Sequence, residues 1–455
     1  MAIQNPALQP AQAGAALAAT PEEDAVWSKI TWRLMPVILI AYSMAFLDRI
    51  NVGYAKLTMQ QDLHFSDAVY GLGAGIFFIT YLMFEVPSNL WLEKIGARLS
   101  FLRIMVLWGL TSAATAWVST PTQFYMVRLL LGVFEAGFFP GVILYLTYWY
   151  PSRRRGRVTG LFLFGMPITG AIGGPLSGWI LKNWDGVSGW HGWQWLFVLE
   201  GIPTILIGII VYVLLANTPG EATFLSAREK ELVRQVMDAD QRGSAPPHRH
   251  GKLAAALADP KTWVLAFVYF ACAAAVYTLT FWMPTMVKAL GIKDIASVGW
   301  YTSIPFACGS IAVLLLSRSS DHFKERRMHV AIPLIIGMVA LYATTFLMNS
   351  FLPAMLMLSI AAALIFGGGA LFWSIPPTCL SREAAATGIA VISSIGILGG
   401  FVSPSIIGYI KTLTGSIDNG LLVMTVLICA GGMTLLLAVP ANALRVDGDP
   451  SDAVH

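Results

Sequence analysis

Charged side chains are scarce in this sequence. Asp, Glu, Lys and Arg together make up 12% of the 455 residues and hydrophobic residues 56%, whereas a soluble domain is about 25% charged. That shortage excludes an ordinary water-soluble globule. Cysteine is also rare: Cys272, Cys308, Cys379 and Cys429 stand in or beside apolar stretches with no CxxC spacing. They read as small buried hydrophobes and not as a disulfide framework or a thiolate metal centre. No HExxH, nucleophile elbow or paired-histidine motif occurs in any loop, so a membrane enzyme would have no catalytic cluster. The missing P-loop removes an ATP-driven pump, and no stretch is long enough for the output domain of a sensor. The first 24 residues carry no basic n-region with a cleavage site, which predicts an uncleaved, disordered tail.

Long apolar runs are what the sequence has in abundance. Since a membrane span needs about 20 predominantly apolar residues, twelve spans are predicted near 32–54, 68–90, 99–118, 123–149, 157–181, 194–216, 261–287, 296–317, 329–348, 352–375, 385–410 and 419–440. With the N-terminus cytoplasmic, 22 of the 29 Lys and Arg fall on the cytoplasmic side and 5 on the other. This satisfies the positive-inside rule and puts both termini in the cytoplasm. The remaining two, Arg49 and Arg128, lie inside helices. A formal charge of +4 therefore reflects topology and gives no reason to expect a nucleic-acid partner.

The longest loop, 217–260, divides the spans six and six, and Ser226-Ala227-Arg228-Glu229 opens a short charged helix within it through a capping box. Thr159-Gly160 recurs as Thr387-Gly388. Gly170, Gly174 and Gly178 in span five correspond, 230 residues on, to Gly400, Pro404 and Gly408 in span eleven. Small residues four apart share a helix face and let backbones approach, so spans five and eleven are expected to be tightly packed. The fold class expected is an all-α membrane protein, twelve transmembrane helices in two pseudo-symmetric six-helix bundles. Its divisions are a tail at 1–24, an N-terminal bundle at 25–216, a linker at 217–260, a C-terminal bundle at 261–440 and a tail at 441–455.

Two parallel six-helix repeats are the build of the major facilitator fold, whose substrate sites lie at the midplane. The loops after spans two and eight, the first running from Pro87 to Arg98 and the second from Ser317-Arg318-Ser319-Ser320-Asp321 to Arg326-Arg327, resemble the conserved loop of that superfamily. Phe46-Leu47-Asp48-Arg49-Ile50-Asn51, the stretch from Arg128 to Gly141, and Trp149-Tyr150-Pro151-Ser152-Arg153-Arg154-Arg155-Gly156-Arg157 resemble the bacterial anion:cation symporters. That family includes tartrate, phthalate, hydroxyphenylacetate and sugar-acid permeases. The resemblance implies a monomeric, proton-coupled carrier of small organic anions in a bacterial inner membrane. It implies no cofactor beyond the proton as coupling ion.

Four ionisable residues lie deep in the spans, each costing about 2.5 kcal/mol or more there, so each invites a function and a partner. Arg128 and Glu135 are seven residues apart on one face, about 10 Å along the axis, too far to satisfy each other. Asp48 and Arg49 are adjacent and point about 100° apart. We expect spans one and four to face each other across Gly132, with the two acids drawing on the two arginines in a neutral quartet. An anion entering such a quartet favours protonation of Asp48 or Glu135, and protonation frees an arginine for the anion's carboxylate. The family resemblance assigns proton coupling to Asp48 and Glu135 and substrate binding to Arg49, with Arg128 the competing partner. Glu85 and Glu200 read as structural charges at span boundaries.

By the family's helix order, further pocket side chains are Asn51, Tyr81, Tyr277, Trp373, Ser374, Ser393 and Ser394. Arg98, Asp321, Arg326 and Arg157 are expected to act in gating or in fixing the loops. Met166 stands between Gly165 and Pro167, where a sugar-acid carrier would want amides, so a compact diacid such as tartrate is favoured. Aromatic side chains in the spans keep phthalate-like acids open. An exporter is the rival, but it would bind cations through acids without two intramembrane arginines.

Overall fold

The structure, a computed structural model, describes residues 20–163, 165–243, 253–380 and 385–439. Of the two tails, residues 1–19 and 440–455 therefore lie outside the described residues. Among the described residues, twelve helices are long and apolar enough to cross a membrane: α1 Pro21–Asp62, α2 Asp67–Ile95, α3 Ala97–Trp117, α4 Pro121–Trp149, α5 Ser152–Asn183, α6 Gly192–Leu214, α7 Pro260–Ala289, α8 Ile295–His322, α9 Arg327–Leu347, α10 Phe351–Cys379, α11 Thr387–Thr414 and α12 Ile417–Ala438. Local chemistry sets several starts. Thr20, Thr120 and Asp259 accept backbone N–H bonds as N-caps, each followed by a proline at a first-turn position where no N–H is needed. Because Thr20 caps α1, Glu22, Glu23 and Asp24 stand in its first turn and are helical, unlike the tail predicted for them. Residues 217–260 contain the predicted short helix, Ala227–Gly243, with Ser226 and Glu229 exchanging both capping-box bonds.

The helix ends define two faces. On the linker face, Lys29 pairs with Glu229, Arg228 with Glu22, and Arg153 and Arg154 with Glu23, which ties the linker and the basic run to α1. On the opposite, distal face the first and last six helices interlock. A Cβ built on Gly299 of α8 would lie 2.2 Å from the carbonyl oxygen of Gly174 in α5, and one on Gly71 of α2 would lie 2.2 Å from that of Pro404 in α11. Only glycine permits backbones this close, as expected for spans five and eleven. The α2–α11 and α5–α8 pairings exchange under a shift of six helices, as two parallel repeats require. Ion pairs from Lys411 to Asp67 and from Lys182 to Asp294 cross the same seam.

α4 is not one helix. Its first segment, Pro121–Glu135, ends on Ala136 in extended backbone, and Gly137, with φ of 87°, turns the chain into the second segment, Phe138–Trp149. The sequence alone places the weak point at Pro140-Gly141. Pro140 instead occupies the first turn of the second segment, where a missing N–H breaks no bond. The break falls on Gly137 because a side chain there would be strained and would meet Ser88.

Candidate functional site

The interruption in α4 puts Glu135 at the end of a half-helix in the middle of the bundle, 1% exposed. Arg49 reaches it from α1, its Nε and Nη2 donating to Glu135 Oε1 at 2.8 and 2.6 Å. The other carboxylate oxygen, Oε2, has no hydrogen-bond partner among the described residues. Aromatic groups surround the guanidinium. Its carbon lies 5.6 Å from the Phe77 ring centre and 5.2 Å from that of Tyr81, and Nη1 donates to the Tyr277 hydroxyl at 3.4 Å. Phe78 packs on Tyr277 with ring centres 4.4 Å apart. The seven-residue spacing of Arg128 and Glu135 holds as predicted, with neither satisfying the other.

Three expectations are corrected. Arg128 takes no acid by hydrogen bond: its Nε and Nη2 donate to the carbonyls of Gly73 and Ala74 in α2, so its charge serves Asp48 and Glu135 only through space. Asp48 is held by neutral donors, Ser112 and Asn51. The quartet is thus one ion pair, one carbonyl-anchored arginine and one hydroxyl-bound acid. Gly132 thins a different interface from the one predicted, since a Cβ there would meet Phe77 and Thr80 of α2 and not α1. Glu200 is not at a boundary: it is 4% exposed, with Ser177 donating to it at 3.1 Å. Glu85, read as structural from sequence, is half-buried with its charge within reach of Arg49.

Of the other predicted residues, Tyr81 and Tyr277 are brought to Arg49, whereas Asn51 is brought to Asp48. Trp373 stands on the C-terminal half against Tyr269, ring centres 4.5 Å apart. The Ser374 hydroxyl is spent on the Leu371 carbonyl. Ser393 and Ser394 are half-buried in α11 and are not brought onto Arg49. Arg98 donates to the Tyr212 carbonyl and stacks on that ring, pinning the α2–α3 loop to the end of α6. Arg326 pairs with Asp321 within its own loop, and Arg157 is exposed beside the basic run. Sequence reasoning missed Ser112, Tyr42 and Tyr269. Their types are common in span interiors, and only the helix packing brings Tyr42 into the field of Arg49. No group of three or more His, Cys, Asp and Glu that could hold a metal occurs among the described residues.

A bundle of twelve membrane-spanning helices whose halves close around buried charges defines a membrane transporter. The family model for the Major Facilitator Superfamily matches residues 38–404, and the chain belongs to that superfamily. Among curated relatives, a protein of Pseudomonas putida named as a metabolite transport protein, NicT, is 44% identical over 92% of this chain and 96% of its own. A protein of Agrobacterium vitis named as a tartrate transporter is 43% identical over 91% and 92%. Among solved structures, a bacterial homologue of the human lysosomal transporter Spinster matches with a TM-score of 0.74 at 16% identity, over 93% of this chain and 99% of that one.

Proposed function

We propose that this protein is a proton-coupled symporter of the anion:cation symporter branch. It imports a small organic anion by alternating access, with tartrate or a similar compact diacid the first candidate. The observation that carries the reading is the Arg49–Glu135 pair. A substrate carboxylate competes with Glu135 for the Nε and Nη2 donors of Arg49, which match a carboxylate in bidentate fashion. A proton on Glu135 removes the competitor, so proton and anion bind cooperatively, and by linkage each tightens the other. The unpartnered Oε2 is where that proton is accepted. Two relatives named as tartrate transporters support a carboxylate. A second reading, an aromatic acid, is favoured by the rings of Phe77, Phe78, Tyr81 and Tyr277 around Arg49.

The basic residues of the linker face support an inner-membrane orientation with both termini cytoplasmic, and we take the working unit to be a monomer in the lipid bilayer. The test is binding of tartrate and phthalate to the purified protein as a function of pH. Affinity rises as pH falls in the native chain. In Glu135→Gln, a neutral mimic of the protonated acid, it is high at all pH and its slope is flattened. An unchanged slope in both Glu135→Gln and Asp48→Asn removes the coupling mechanism.

A further inference from the structure

Glu200 lies eight residues into α6 from Gly192, about 12 Å along the axis at 1.5 Å per residue. Its next neighbour, Gly201, packs backbone to backbone with Gly109 of α3, which seals that side. Ser177 of α5 donates to Oε1 at 3.1 Å, and Oε2 has no hydrogen-bond partner among the described residues. The Asn51 carboxamide of α1 lies between the carboxyl groups of Glu200 and Asp48, its Nδ2 donating to Asp48 Oδ1 at 3.4 Å. Asn51 Oδ1 and Asp48 Oδ2 are also without a partner. Three buried side chains on two helices, connected through Asn51, thus each keep an oxygen without a hydrogen-bond partner among the described residues.

Among the described residues, the charged group whose field reaches Glu200 is another acid, Asp48. The titratable phenol of Tyr54 is the further neighbour from α1, α3 brings the Ser112 hydroxyl to Asp48, and α5 brings Ser177. Arg49 is committed to Glu135, and Arg128 to the carbonyls of α2. A buried carboxyl group beside a second carboxyl group is a place where a proton can be held while water is excluded and given up where water reaches it. Asp48 and Asn51, three residues apart, share one face of α1 while Arg49 points away from it. α1 therefore separates an anion side from an acid side.

We infer that Asp48, Asn51 and Glu200 form a second proton-binding site, apart from the Arg49–Glu135 pair, in which Glu200 takes up and releases a proton as the distal seam closes and opens. The Tyr54 hydroxyl connects this site to the seam. It faces Thr302 of α8, and it lies 2.8 Å from a Cβ built on Gly174, where α5 and α8 meet backbone to backbone. When the seam parts, this is the edge of the cluster that meets water. The site rests on the symporter reading for its role, but not for its existence.

The test needs no substrate: pH-difference infrared spectra of the purified full-length protein. A protonated-carboxyl band, identified by its loss in Glu200→Gln, is expected to change in intensity with pH across the range in which the protein stays folded, and Asp48→Asn to displace that change along the pH axis. Should Glu200→Gln fail to fold, Ser177→Ala serves instead, because removing the donor to Oε1 shifts the same band. A Glu200 band constant across this range makes the residue a permanently neutral packing group and overturns the inference. So does the absence of any such band. Loss of the band at fixed pH when sodium chloride replaces choline chloride would assign the oxygens to a metal cation and overturn it as well. If the band titrates while no organic acid is transported, the symporter reading fails and the site stands.

Discussion

At the scale of the residue, the proposed working unit is a single guanidinium, held by Glu135 and offered to the anion. Arg49 holds Glu135 through two donors and is surrounded by rings that leave its remaining edge open to Tyr277. Lysine in its place keeps the charge and loses the paired geometry, so Arg49→Lys is expected to weaken substrate binding by about 10- to 100-fold, the equivalent of the roughly 1.5–3 kcal/mol of a hydrogen bond to a charged group. Binding titrations read this directly, and an affinity within about twofold of native would show that the anion does not meet the fork. Arg49→Ala leaves Glu135 buried without its cation, at a cost of about 3–5 kcal/mol, and is expected to lower folded yield as well as uptake. The double variant Arg49→Ala with Glu135→Gln restores yield but not uptake. The four deep charges were legible from sequence because a charge in a span stands out. Their pairing was not, since an arginine can satisfy itself on the backbone carbonyls of a neighbouring helix, as Arg128 does, and carbonyls leave no mark in a sequence.

At the scale of the element, the distal seam depends on glycine. A Cβ on Gly299 would collide with the Gly174 carbonyl, whereas one on Gly160 meets nothing within 4 Å. Gly299→Val is therefore expected to hold the distal face apart and reduce transport at least about tenfold, with Gly160→Ala within about twofold of native. Initial rates in proteoliposomes, normalised to folded protein, decide this, and equal rates for the two variants would mean that the seam does not close in the cycle. The tight packing of spans five and eleven followed from small residues four apart. The interruption of α4 at Ala136-Gly137 did not, because proline is the usual sign of a break and the nearby Pro140 sits harmlessly in a first turn. Glu200 was misplaced for a different reason: the predicted span begins within two residues of the observed helix, and what buries the carboxyl is the packing of α3 and α5 around it, which its own span does not record.

At the scale of the whole molecule, the proposed coupling requires that protonation change the site without loosening the closures. The Lys182–Asp294 pair across the distal seam meets that condition. Its ammonium, together with Ser297, holds the exposed Asp294 carboxyl down at about 2, so its attraction is fully present above the ordinary carboxylate range and is lost only as pH falls through about 2. Asp294→Asn is expected to change the transport rate by less than about threefold and to leave the shape of its pH profile unaltered. A displaced profile would place the proton sensor in this latch and not in the buried acids. The division of labour between halves is equally uneven. Asp48, Arg49, Arg128 and Glu135 all belong to the first six helices, whereas the second six bring Tyr277 to the guanidinium.

The measurement that bears most directly on the central claim is uptake of labelled tartrate and a panel of small organic acids into proteoliposomes under an imposed pH gradient. The native protein should accumulate at least one acid when the interior is alkaline, stop when a protonophore collapses the gradient, and lose accumulation in Asp48→Asn and Glu135→Gln. Accumulation of no organic acid, or accumulation indifferent to the gradient, would contradict proton-coupled anion symport.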